Sequence, residues 1–104
     1  MILKHYKDVP AEPVEGEPGL MVRWLIAEAD GAPHFSMRYM EVEPGASSPH
    51  HSHPAEHEVF VLGGQGIARS GNAQVEVKAG DVVYVAPDEI HQFVTAGDEP
   101  LTFI

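Results

Sequence analysis

Four histidines define the chemistry this chain can do: His51, His53 and His57 lie close together, and His91 follows farther on. A neutral imidazole offers a metal its lone pair without burying a charge, which makes histidine the commonest metal ligand near neutral pH. Side chains at i and i+2 of a strand share a face, about 6–7 Å apart. His51 and His53 can therefore reach one ion while His50 and Ser52 point away, and His57 keeps the same parity. Pro54 has no backbone donor and marks a bend or strand edge between the two halves of the group. His91 follows the turn Pro87-Asp88-Glu89 and arrives from another strand. Four imidazoles converging on one divalent ion leave its charge uncompensated. In an octahedral ion they also leave two positions for water, substrate or an oxidant. Such an ion acts as a Lewis acid and template, and a redox-active one also passes electrons. Imidazole suits zinc, copper, iron and nickel, so the donor set alone does not name the metal. Binding is expected to fail in acid, where imidazoles with pKa near ~6.5 take up protons.

The elements that must position these residues read as nearly all β. Phe35 to Val42 carries apolar residues at Phe35, Met37 and Tyr39 and ends at Glu43-Pro44-Gly45. Val59 to Leu62, Val75 to Val77, Asp81 to Ala86 and Leu101 to Ile104 are further short runs, closed by Gly, Pro and Asp. This punctuation predicts an all-β sandwich or barrel. Ser70-Gly71-Asn72 reads as a hairpin tip, Ala79-Gly80-Asp81 as a tight turn, and Gly63-Gly64-Gln65-Gly66 as a turn that opens no helix. Residues 1–20, rich in Pro, Glu and Gly from Pro10 to Gly19, read as an N-terminal strand or irregular arm, and 21–104 as the barrel of a single domain.

Composition narrows the function. There is no cysteine among the 104 residues, which excludes disulfides and thiolate metal sites. The net charge of −10 repels phosphate backbones and anionic membranes, so nucleic acid and membrane are not expected partners. No apolar run approaches the ~18 residues of a membrane span. The first ten residues carry no signal-peptide pattern, and a cytoplasmic location is expected.

Gly45, His51, His53, His57 and Gly64 stand at the intervals of the first motif of the cupins, with histidine where that family usually has glutamate. Gly80, Ala86, Asp88, His91 and Thr95 stand at the intervals of the second, where the family usually has Gly, Pro, Gly, His and Asn. The chain resembles cupins over Glu41 to Thr95. The string His51 to Leu62, the opening Met1-Ile2-Leu3-Lys4 and the stretch Phe35 to Gly45 are most similar to small single-domain cupins with four-histidine manganese sites. That resemblance implies a double-stranded β-helix, or jelly-roll barrel, with a metal held by His51, His53, His57 and His91. Manganese is implied first and iron second, with zinc, nickel and copper open on chemical grounds. It also implies a homodimer and a small-molecule substrate inside the barrel. The family's looser spacing also admits Glu58 in place of His57, but Glu58 has the opposite strand parity. Glu56 and Glu58 read either as hydrogen-bond partners of the imidazoles or as solvated carboxylates.

Phe93 shares a face with His91, and Phe103 lies on the last strand; both read as pocket walls or as plain core. Arg38 reads as an anion-orienting pocket residue or as a solvent-facing arginine. The four-histidine relatives often have an aromatic residue where this chain has Ala55, which implies a more open pocket mouth here. Trp24, Met37 and Met40 read as core or interface, and His5 and His34 as exposed. No nucleophile–base arrangement supports serine hydrolysis. The reading that follows is a metal-dependent, dioxygenase-like oxidoreductase. A non-redox isomerase or lyase and a non-catalytic metal or ligand-binding module are the alternatives.

Overall fold

The computed structural model describes residues 1–104. Nine strands run in chain order: β1 (Glu12–Pro13), β2 (Leu20–Ile26), β3 (Met37–Val42), β4 (His57–Gly63), β5 (Gln65–Ser70), β6 (Ala73–Lys78), β7 (Val82–Val85), β8 (Gln92–Ala96) and β9 (Leu101–Phe103). Two short 3-10 turns, Tyr6–Asp8 and Glu28–Asp30, lie outside them. A six-stranded sheet has the order β1-β2-β3-β9-β4-β7, and a three-stranded sheet the order β6-β5-β8.

Alternation along the strands builds the core, because side chains two apart share a face. Leu20 and Val22, Met40 and Val42, Val59 and Val61, and Leu101 and Phe103 point inward from the larger sheet. Ala68, Val77 and Phe93 meet them from the smaller one. The jelly roll is thus as expected, but the sheets do not close into a barrel. No ladder joins edge strand β6 to edge strand β7, although only a tight turn separates them in the chain. A turn with Gly80 at φ 92° separates the two edge strands in the chain, and each pairs instead with another neighbour, β6 with β5 and β7 with β4.

Where expected strands and turns meet the structure, most agree. The Ser70 hairpin tip joins β5 to β6, with Ser70 opposite Ala73. Phe35 lies outside β3 and is exposed. The expected arm is more ordered than irregular: Glu12 and Pro13 pair with Val22 and Met21. Arg23 fastens it further by donating to the Val9 carbonyl at 2.5 Å. Met40 is core, whereas Met37 and Trp24 are partly exposed.

Candidate metal centre

The histidine-bearing segment bends at Pro54 and Ala55, as the proline predicted, between the His51 bridge and the start of β4. Residues Ala46 to His51 run antiparallel to β8 without forming a full ladder. Ser47 bridges Val94, and His51 bridges His91. The register of the first bridge differs from that of the second by one residue, so the Pro49-His50 step inserts an extra residue. Such a bulge turns the alternation just ahead of the ligand-type residues. The buried hydroxyl of Ser48 accepts from Phe93 N at 2.7 Å and locks the segment in place. His51 N donates to His91 O at 3.2 Å, and His91 N donates to His51 O at 2.9 Å. His57 then opens β4 on its inward face, in line with Val59 and Val61.

These elements bring all four imidazoles together. Centroid separations are 4.9 Å for His51–His53, 4.8 Å for His51–His91, 4.7 Å for His53–His57, 5.0 Å for His53–His91 and 5.2 Å for His57–His91. His51 and His57 therefore occupy opposite ends of the group. Ligand atoms of His51, His53 and His91 lie within 4.8 Å of one another and can hold a metal ion. The Nε2 atoms of His53 and His57 are 2.9 Å apart. Two nitrogens bound at right angles to an ion at ~2.1 Å stand about 3 Å apart, so this pair is spaced as two ligands of one ion would be. Burial grades across the group: His91 is buried, His53 and His57 are partly buried, and His51 is exposed. One end of the centre faces solvent.

The turn before His91 fixes that ring. Glu89 N donates to Ala86 O at 3.1 Å, and Asp88 sits at φ 64°. Proline second and a left-handed residue third describe a type II turn, which favours glycine at the third place. Asp88 occupies that place here, one of the departures from the family motif. The Glu89 carboxylate accepts from Ala86 N at 2.9 Å and from Ser70 Oγ at 2.6 Å, tying the turn to β5. The Glu89 carbonyl lies 2.8 Å from His91 Nδ1. A carbonyl only accepts, so Nδ1 carries the proton and Nε2 keeps its lone pair for a metal. By contrast, His53 Nδ1 is buried without a partner.

Glu58 and Glu56 are both exposed, on the far side of the His57 strand position. Glu56 accepts from Tyr84 Oη at 3.0 Å instead of serving an imidazole. Phe93 and Phe103 are core residues, with ring centroids 4.9 Å apart. Phe93 also lines, with His91, Val83 and Val85, a cavity of about 150 Å³ at the open seam. His5 and His34 are exposed, as expected, and so is His50.

Two of the imidazoles, His57 and His51, are held below the ordinary histidine pKa. Loss of solvent, then the Arg38 guanidinium and the neighbouring imidazoles, push His57 down from 6.5 to about 4. Partial burial, then His91, His53 and Arg38, lower His51, against an opposing pull from Glu17. Between pH 6.5 and about 4 the unfolded chain therefore holds a proton at His57 that the folded chain lacks. Stability rises with pH wherever the unfolded state binds more protons. The His57 contribution is fully present above pH 6.5 and is lost as pH falls towards about 4. Discounted for the solvent that still reaches the ring, the loss is about 1–2 kcal/mol. Urea unfolding of chelator-treated protein at both ends of that window checks it: His57→Gln should flatten the pH slope, and an unchanged slope would refute the assignment.

The cupin domain family matches residues 38–104. The oxalate-binding protein of Thermotoga maritima is 33% identical over 66 residues, covering 62% of this chain and 54% of that protein. The (R)-mandelonitrile lyase of Granulicella tundricola is 38% identical over 63 residues, covering 60% of this chain and 48% of that one. The chain thus matches about half the length of these curated relatives. The solved structure of the polyketide cyclase RemF from Streptomyces resistomycificus superposes with a TM-score of 0.92 at 34% identity, over 99% of this chain and 75% of that one. No helix here is long and apolar enough to cross a membrane.

Proposed function

The chain belongs to the cupin superfamily, and from that premise we propose that it is a metal-dependent oxidoreductase, dioxygenase-like, acting on a small organic molecule at the four-histidine centre. His51, His53, His57 and His91 are the proposed ligands, and manganese, then iron, the proposed metal. The observation that carries this reading is the convergence of the four rings, with 2.9 Å between the Nε2 atoms of His53 and His57. When bound, the metal supplies Lewis acidity and, if redox-active, an electron relay. The chain's own residues do the rest. Glu89 O holds the His91 proton on Nδ1 and so aims Nε2 at the centre. The Phe93–Phe103 pair packs as an apolar floor behind His91, and the exposed His51 leaves the other side open to a substrate.

The (R)-mandelonitrile lyase among the relatives favours one second reading, non-redox lyase chemistry at the same centre. The exposed apolar residues Phe60, Leu62 and Val82 on the outer face of β4 and β7 support a homodimer. Elemental analysis of unsupplemented protein, followed by oxygen uptake over a substrate panel, tests the proposal. Manganese or iron with substrate-dependent oxygen consumption is expected. Zinc alone, with no redox turnover after manganese or iron reconstitution, would shift the assignment to the lyase reading.

A further inference from the structure

We propose that Ser70 and Glu89 are positioning residues of the histidine centre: the bond between their side chains holds the turn at residues 86–89 in the shape that aims His91 and seats His53. The inference rests on the proposed metal reading and adds to it two side chains outside the ligand set.

The turn between β7 and β8 reaches three of the four imidazole-bearing positions. Val85, which leads into it, stands opposite His57 in the β4–β7 ladder. Asp88 N donates to the His53 carbonyl at 2.8 Å. The Glu89 carbonyl accepts from His91 Nδ1 at 2.8 Å. His53 depends on the turn for a particular reason. Its Nδ1 is buried without a partner, so no hydrogen bond at that atom orients the ring, and its backbone tie to Asp88 carries more of the placement.

The turn is not in a relaxed conformation. Asp88 sits at φ 64°, in the left-handed region that favours glycine. Strain of this kind persists only where the surroundings over-determine it. The Glu89 carboxylate supplies that constraint. One oxygen accepts from Ala86 N at 2.9 Å, while Glu89 N donates back to the Ala86 carbonyl at 3.1 Å, so the two ends of the turn are joined twice. The other oxygen accepts from Ser70 Oγ at 2.6 Å, across 19 residues of chain. Ser70 ends β5 on the inward parity of Gly66 and Ala68, which points its hydroxyl at the turn. Neither ion pair of the chain involves Glu89. Hydrogen bonds alone therefore hold its part-buried carboxylate, and their geometry fixes the carbonyl that faces His91.

The test uses the full chain, stripped with EDTA and titrated with zinc by calorimetry beside a competing chelator. Losing an outer partner of a metal ligand costs about 10- to 100-fold in affinity. Glu89→Ala should fall in that range and Ser70→Ala near its lower end, at roughly 10-fold. Ser70→Thr keeps the hydroxyl and should restore most of the affinity. Nitrogen-15 spectra of the metal-free protein at about pH 8, where imidazoles are neutral, give a second reading. Wild type should show His91 protonated at Nδ1 alone, and Glu89→Ala a mixture of both tautomers. A purely structural bond would lower the melting temperature of the metal-free protein and leave zinc affinity and tautomer unchanged. That result would overturn the assignment and leave the metal reading standing. So would an equal loss of affinity in Ser70→Thr and Ser70→Ala. If Glu89→Ala does not fold, Ser70→Ala decides by the same two readings. Failure of the wild-type protein to bind any divalent metal would overturn the metal reading and this inference together.

Discussion

Divalent metal at about 1,000 times its dissociation constant is expected to stabilise the folded chain by about 4 kcal/mol, because an ion that binds the native state alone adds RT ln(1 + [L]/Kd). For a domain of this size, that raises the melting temperature by roughly 15 °C or more. His53→Ala should remove most of the effect. His53, like His91, has ring contacts to all three other imidazoles, and its Nε2 is 2.9 Å from that of His57. Losing even an outer partner of a ligand costs about 10- to 100-fold in metal affinity. A hundredfold weaker site at the same metal concentration retains only about 1.4 kcal/mol of the stabilisation. His57→Ala should behave similarly, and Glu58→Ala, on the exposed face of β4, should keep the full effect. Thermal melts with manganese or zinc against EDTA measure all four proteins. Equal shifts in wild type and His53→Ala, or a Glu58→Ala loss exceeding that of His57→Ala, would show that another set of atoms holds the ion.

How much of this was legible beforehand depends on how local each determinant is. That His57 faces inward and Glu58 outward followed from strand parity, because β4 is a regular strand whose inward set runs His57, Val59, Val61. The placement of His51 and His53 did not follow in the same way. The bend expected at Pro54 is there, but a bulge at Pro49-His50 and a bridge to His91 also shape how the rings come together. Bulges are set by the partner strand, and one sequence does not reveal its partner. β2 and β5 escaped notice for a related reason. Leu20 to Ile26 includes Arg23 and Trp24 among its apolar residues, and Gln65 to Ser70 holds Gly66 and Ala68 where larger inward residues are usual. Arg38 could have been placed by the rule that placed His57, since Met40 and Val42 continue its face. The pull of charge towards solvent argued the other way, and the aromatic face that lets an arginine stay half-buried came from β2. Barrel closure was misjudged because it depends on edge-strand length and twist, which periodicity does not encode.

Gly64→Ala should be the most damaging single-methyl substitution in the fold, costing about 3–4 kcal/mol. Two independent terms contribute. Gly64 sits at φ 76°, where an L-residue costs about 1–2 kcal/mol. A β-carbon there would also collide with the carbonyl oxygen of Pro100 and stand 3.0 Å from Leu101 Cα. Both are backbone atoms, so no rotamer change relieves the contact, and overpacking of this kind costs typically about 1–3 kcal/mol. The position is demanding because Gly64 carries the chain from β4 in one sheet to β5 in the other, directly against the entry to β9. Gly71→Ala separates the two terms: it has a positive φ of 57° but nothing within 4 Å of a new β-carbon. It should cost only the conformational share, about 1–2 kcal/mol. Urea unfolding of both variants measures the difference, and equal losses would mean that the β4–β5 corner yields where the geometry says it cannot. The displacement should also reach the metal centre. β9 pairs with β4, which bears His57, and its Phe103 packs on Phe93, two residues from His91. A Gly64→Ala protein that still folds should therefore bind metal more weakly than wild type, with none of the four imidazoles altered.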